Sequence, residues 1–178
     1  LRNGIWRNMG ACLAPMNAFL NVVGLETLGL RMERICANAR ALAEEIARLA
    51  REQDEHSGQS KGGGLSVNYP TLKESPYHAL AESQFGGKGG GAILTVRVGS
   101  KEKAYQVMDS LKYAKKATNI GDVRTLVIHP ASTIYAHASE EQRAAAGVFD
   151  DLIRVSVGIE DAKDLIEDFT TAITMVVK

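Results

Sequence analysis

Between residues 92 and 98 apolar and other positions alternate strictly. Ile93, Thr95 and Arg97 stand against Leu94, Val96 and Val98, the period-two pattern of a strand with one buried face. The pattern recurs over 151–158, where Ile153, Val155 and Val157 make a wholly apolar face and Leu152, Arg154 and Ser156 make the other. Shorter strands are predicted at 64–70 and 125–129, closed by Pro70 and Pro130. Between these runs the spacing becomes helical. Residues 100–114 carry the stripe Ala104, Val107, Met108, Leu111 behind an N-capping Ser100. Residues 161–177 carry Leu165, Ile166, Phe169, Ile173, Val176 and Val177 behind Asp161. Short helices are expected at 76–83, with Pro76 in the first turn, and at 139–147, with Ser139 and Gln142 as a capping box and Gly147 as the stop. About four strands interleaved with helices predict an α/β (α+β) layer: one sheet with helices on one side, preceded by long helices.

Those helices fill residues 14–53. Leu42, Ile46 and Leu49 form one stripe, with Glu44 and Arg48 expected to pair at i, i+4 on the wet side. Residues 15–28 are apolar around most of the circumference, which calls for more than one covering surface. Gly24 and Gly29 allow bends or close packing. The polar, glycine-rich stretch 52–64 predicts a boundary. The start LRNGIWRNMG has no initiator Met and no secretory pattern, so the chain is expected to begin in mid-structure.

Composition narrows the partners. Lys and Arg number 21, as do Asp and Glu, so no net charge favours nucleic acid or an anionic membrane. No apolar run approaches the ~20 residues of a bilayer span. Cys12 and Cys36, both in helix-like sequence, read as buried thiols in a reducing, cytoplasmic compartment.

Few residues suggest chemistry. GGKGGG at 86–91 lacks the strand before and helix after that a phosphate cradle needs, and reads as a flexible loop. His137 and Glu140 straddle a helix cap and make a poor metal pair. His129, before Pro130 at a strand end, suits a hydrogen-bonded structural role, with a cleft-facing role as the alternative. Arg154 is either solvated or reads an anion. Arg154 with Asn119, in the turn-rich stretch 117–124, would suit a carboxylate, since a guanidinium fork and an amide match its oxygens.

NAFLNVVGLETLGLRMERICANARALAE (17–44), VNYP (67–70), NIGDVRTLVIHPAST (119–133) and LIRVSVGIEDAKDLIEDF (152–169) together resemble the Cys/Met-metabolism family of PLP-dependent enzymes. NIGDVRTLVIHPAST is most similar to the O-acetylhomoserine sulfhydrylase branch. The resemblance implies the C-terminal small domain of a type I PLP-dependent transferase fold over 62–178, with 1–55 as the helical tail of the large PLP-binding domain. It implies γ-replacement in methionine biosynthesis: O-acetylhomoserine and sulfide give homocysteine and acetate. It places Arg154 on the α-carboxylate of an amino-acid substrate and Asn119 beside it, and it implies a cytoplasmic homotetramer. Relatives have Thr where Ile134 stands. The family's Ser-x-Thr-Lys stretch with the Schiff-base lysine has no counterpart here, and Lys61, Lys73, Lys88 and Lys115 lie in other contexts. The chain is therefore expected to be inactive alone and to bind pyridoxal 5'-phosphate mainly through an N-terminal partner domain. Cystathionine γ-synthase or γ-lyase, and a non-catalytic amino-acid-binding or assembly module, are the alternatives.

Overall fold

A computed structural model describes residues 8–10, 12–57 and 64–177. The opening LRNGIWR, Lys61 and part of the expected 52–64 break lie outside the described residues. The chain divides into two compact units, Leu1–Arg31 and Met32–Lys178.

The first unit contains helix α1, Pro15–Glu26, with Pro15 at its first position. Thr27 ends it, and helix α2, Leu28–Ser57, starts directly after. Arg31 bonds back across this break, from its guanidinium to the Gly24 carbonyl at 2.6 Å and the Thr27 hydroxyl at 3.2 Å. No residue of α1 is buried. Met16, Phe19, Leu20, Val22, Val23 and Leu25 are all exposed. That is the unpartnered apolar surface the all-round apolar pattern implies.

The second unit is built on a five-stranded sheet. Its strands are β1 Ser66–Asn68, β2 Ile93–Arg97, β3 Lys115–Lys116, β4 Leu126–Ile128 and β5 Leu152–Ser156, in the order β1-β2-β5-β4-β3. All neighbours are antiparallel except β3 and β4. The fifth strand, β3, is two exposed lysines. It shows no alternation to read, and its charges suit an open sheet edge.

The helices are the C-terminal part of α2, α3 His78–Phe85, α4 Lys101–Ser110, α5 Glu140–Ala145 and α6 Ala162–Val176. Ala39, Leu42 and Ile46 of α2, Val107 and Met108 of α4, and Leu165, Phe169 and Ile173 of α6 join one core with Leu94, Val96, Val127, Ile153, Val155 and Val157. The alternation thus places the apolar face of the strands under the helices, as expected.

Several local expectations are corrected. α2 continues through Ser57, past the start of the polar stretch. Glu44 pairs with Arg40 at 2.8 Å, while Arg48 binds Glu45 at 2.7 Å and also Glu52, so the expected Glu44–Arg48 pair does not form. Pro76 precedes α3 rather than opening it: the His78 amide bonds to the Ser75 carbonyl at 3.1 Å. This makes a turn with Pro76 at its favoured second position. α4 ends at Ser110, not 114, because the buried Asp168 carboxylate takes the Lys112 amide at 2.9 Å and the Tyr113 amide at 3.0 Å. Cys12 is exposed and outside the helices; only Cys36 is buried, and both are free thiols.

The glycine run is not a free loop. A Cβ on Gly89 would lie 2.5 Å from Cys36 Cβ, and one on Gly90 would lie 2.9 Å from Pro70 Cγ. The glycines let backbone press against VNYP and α2. The Tyr69 hydroxyl closes the contact, donating to the Gly91 carbonyl at 2.9 Å and accepting from the Gly90 amide at 3.2 Å. Desolvation pushes the Tyr69 phenol up to about 12. A raised folded-state pKa contributes stability that is present below the ordinary tyrosine range near 10 and lost as pH climbs toward 12. An absorbance titration at 295 nm is expected to show one late ionisation that Tyr69→Phe removes. An unchanged curve in that variant would show that this contact does not hold in solution.

Candidate functional site

The sheet face away from the core helices carries the predicted site. Arg154 sits mid-strand in β5, opposite Thr95 of β2 and Ile128 of β4. Leu152 and Ser156 share its face but are 6% and 2% exposed, so of the three only Arg154 reaches solvent. The expectation of one continuous cleft-facing row is narrowed to a single side chain.

Arg154 and Asn119 do come together. One guanidinium nitrogen lies 3.4 Å from the Asn119 backbone carbonyl. The Asn119 side-chain oxygen accepts from the Ile120 amide at 2.8 Å, which leaves its NH2 end to face outward. The next residues form a tight turn. Gly121 has φ +76°, a conformation only glycine takes without strain. Asp122 accepts from the Arg124 amide at 3.0 Å, and that bond holds its carboxyl below the usual carboxylate range.

A second arginine on the same face gives the contrast. Arg97 binds Asp151 through Nε at 2.9 and 3.1 Å, and its guanidinium lies 4.2 Å from the Phe149 ring centroid. The Gly99 amide also donates to Asp151 at 3.2 Å. Arg97 is therefore neutralised within the fold. Among the described residues Arg154 has no ion pair. Its fork is available for an external carboxylate.

His129 takes the structural role. It is 2% exposed, with Nε2 2.7 Å from the Asp150 carbonyl and Nδ1 2.8 Å from the Ser132 hydroxyl. Donation from Nε2 to that carbonyl leaves Nδ1 to accept from Ser132, so both ring nitrogens are engaged. Ile134 is exposed. Among the described residues no three His, Cys, Asp or Glu side chains converge on a metal position. No helix among them is long and apolar enough to cross a membrane.

Sequence reasoning assigned no role to Thr125, Gly158, Glu160 or Asn38, which hold the Asn119 loop. The Thr125 amide and hydroxyl donate to Glu160 at 2.5 and 2.8 Å, and its hydroxyl accepts from the Gly158 amide at 3.0 Å. Asn38 Nδ2 donates to the Gly158 carbonyl at 3.0 Å and the Glu160 carbonyl at 2.8 Å. One signal was present: Asn38 interrupts an apolar stripe made by Ile35, Ala39 and Leu42, and an amide there needs buried partners.

Residues 2–174 match the family model described as Cys/Met metabolism PLP-dependent enzyme, and the chain belongs to that family. It is 39% identical over 169 residues to O-acetyl-L-homoserine sulfhydrylase of Corynebacterium glutamicum, covering 94% of this chain and 36% of the relative. It is 39% identical to O-succinylhomoserine sulfhydrylase of Pseudomonas aeruginosa, covering 93% and 38%. Among solved structures, an O-acetylhomoserine (thiol)-lyase of Campylobacter jejuni carrying a pyridoxyl-lysine phosphate superposes with a TM-score of 0.78 at 35% identity, over 96% of this chain and 38% of that one. Yeast cystathionine γ-lyase superposes with a TM-score of 0.80 at 31% identity, over 96% and 41%. The chain thus spans about two-fifths of the length of these relatives.

The family is PLP-dependent, and among the described residues every lysine is exposed or half-buried. Lys73, Lys88, Lys101, Lys112, Lys115 and Lys163 are exposed on the surface. Lys116 borders a cavity of about 420 Å³ beside β4 but is ion-paired with Asp109.

Proposed function

We propose that this chain supplies the substrate-carboxylate side of a PLP-dependent O-acetylhomoserine sulfhydrylase, which converts O-acetylhomoserine and sulfide to homocysteine and acetate. The observation that carries this reading is the Arg154 fork beside Asn119, without an ion pair among the described residues, on a face where Arg97 has its own carboxylate. Arg154 grips the substrate α-carboxylate and the Asn119 amide donates to it. Holding that group at two points fixes the direction of the Cα–H bond, a positioning contribution to catalysis.

In this reading residues 62–178 are the small domain and 1–55 the tail of the large one. The cofactor is held mainly by an N-terminal partner domain, and the chain is inactive alone and works in a cytoplasmic homotetramer. The exposed apolar residues of α1 support assembly with further polypeptide over a free-standing binding module. The same carboxylate site would serve cystathionine γ-synthase or γ-lyase.

The test is turnover by the chain assembled with the cofactor-bearing portion of its own enzyme. Homocysteine from O-acetylhomoserine and sulfide is the expected product. Cystathionine formed from cysteine in place of sulfide would move the assignment to the synthase. No product from either donor would end it.

A further inference from the structure

Loop 117–125 contains no regular structure after Lys116, yet it carries Asn119, whose backbone carbonyl lies 3.4 Å from the Arg154 guanidinium. The fixing points lie at its far end. The Ile159 amide donates to the Val123 carbonyl at 2.9 Å. Glu160 takes two hydrogen bonds from Thr125, one on each carboxylate oxygen, and Thr125 is fully buried. The Thr125 hydroxyl is used twice, since it also receives the Gly158 amide.

The turn 158–160 is itself tied to α2. Asn38, 3% exposed, donates to two of its carbonyls, and Arg34 donates to the Glu160 carbonyl at 3.1 Å. A continuous set of hydrogen bonds therefore runs from α2, through 158–160, to 123–125 and the loop that carries Asn119.

The use made of Glu160 is uncommon. Glu160 is half-buried, and a carboxylate partly withdrawn from water gains from a cation beside it. Among the described residues Glu160 has no side-chain ion pair, and it spends both oxygens on one threonine. Charge-assisted bonds to a backbone amide and a hydroxyl are short and directional. Such a grip sets position more than it adds to the core.

We infer that Glu160 is a positioning residue for the carboxylate site: through Thr125 it sets where loop 117–125 presents Asn119 to Arg154. The inference rests on the reading of Arg154 as a carboxylate grip.

The experiment uses the 178-residue chain with O-acetyl-L-homoserine as the probe. Affinity is read by NMR titration, and loop order by amide hydrogen exchange at 119–125. Glu160→Ala is expected to weaken binding about tenfold, the effect of losing the one Asn119 hydrogen bond to the ligand carboxylate, and to speed exchange at 119–125 relative to the core strands. Glu160→Gln keeps the size and one acceptor oxygen, and is expected to fall between Glu160→Ala and the parent. Thr125→Ser keeps the hydroxyl and is expected to bind as the parent does, whereas Thr125→Val behaves like Glu160→Ala. Parent-like affinity and exchange in both Glu160 variants, with binding still lost in Arg154→Ala, would overturn the role of Glu160 and leave the site intact. Parent-like affinity in Arg154→Ala would overturn the reading of the site, and this inference with it.

Discussion

Arg154→Ala is expected to weaken binding of O-acetyl-L-homoserine about thirtyfold, the equivalent of roughly 2 kcal/mol for hydrogen bonds to a charged group. Stability should hardly change. Arg154 reaches solvent and has no ion pair among the described residues, and its hydrogen bond to the Asn119 backbone carbonyl is a long one. Surface changes of this kind stay within about 0.5 kcal/mol. Arg154→Lys should lose much of the affinity as well, because an ammonium keeps the charge but not the planar fork.

Arg97→Ala makes the opposite prediction from the same face. It strands Asp151, whose side chain is 10% exposed, without its cation. It should therefore lower stability and leave carboxylate affinity near the parent value. Denaturant melts and NMR titrations on the two variants, side by side, separate a binding arginine from a structural one. Loss of affinity in Arg97→Ala alone would move the carboxylate grip from Arg154 to Arg97.

The contrast between these two residues was only half legible in the sequence. Strand alternation put Arg97 and Arg154 on one face, because period two depends only on backbone geometry. It could not say which arginine had a counter-ion, since Asp151 is 54 residues from Arg97. The helix stripes and caps were readable because they are local: Ser100, Ser139 and Asp161 each accept the backbone amide expected of an N-cap. Elements set by distant groups were not. α4 stops early because of Asp168, 56 residues away from Lys112. The glycine run looked mobile because Cys36 and Pro70, which press on it, lie far off in sequence. Residue chemistry suggested Arg154 with Asn119 as a carboxylate pair and left a solvated Arg154 open, resemblance to a family gave each its place on the substrate, and the hydrogen bonds that hold Asn119 in place were visible only in three dimensions.

Gly158→Ala is expected to destabilise the second unit by about 3 kcal/mol, or roughly 6–12 °C in unfolding midpoint. The cause is space. A Cβ at 158 would sit 2.4 Å from the Val123 carbonyl oxygen, 2.6 Å from the Arg124 carbonyl carbon and 2.5 Å from a Glu160 carboxylate oxygen. Two of these are backbone atoms that cannot swing aside like the end of a side chain. Relief requires the 123–125 segment to retreat from the turn, which breaks the bonds from Ile159 and Thr125 that hold it. Carboxylate binding should therefore fall together with stability, unlike in Arg154→Ala, where binding falls alone. Gly24→Ala is the control. That glycine is inside α1 with nothing within 4 Å of a built Cβ, so alanine there should stabilise the helix by about 0.5–1 kcal/mol. A Gly158→Ala chain that melts with the parent would show that the 123–125 backbone can shift without loss, and that the close approach of the two segments is not what holds the site together.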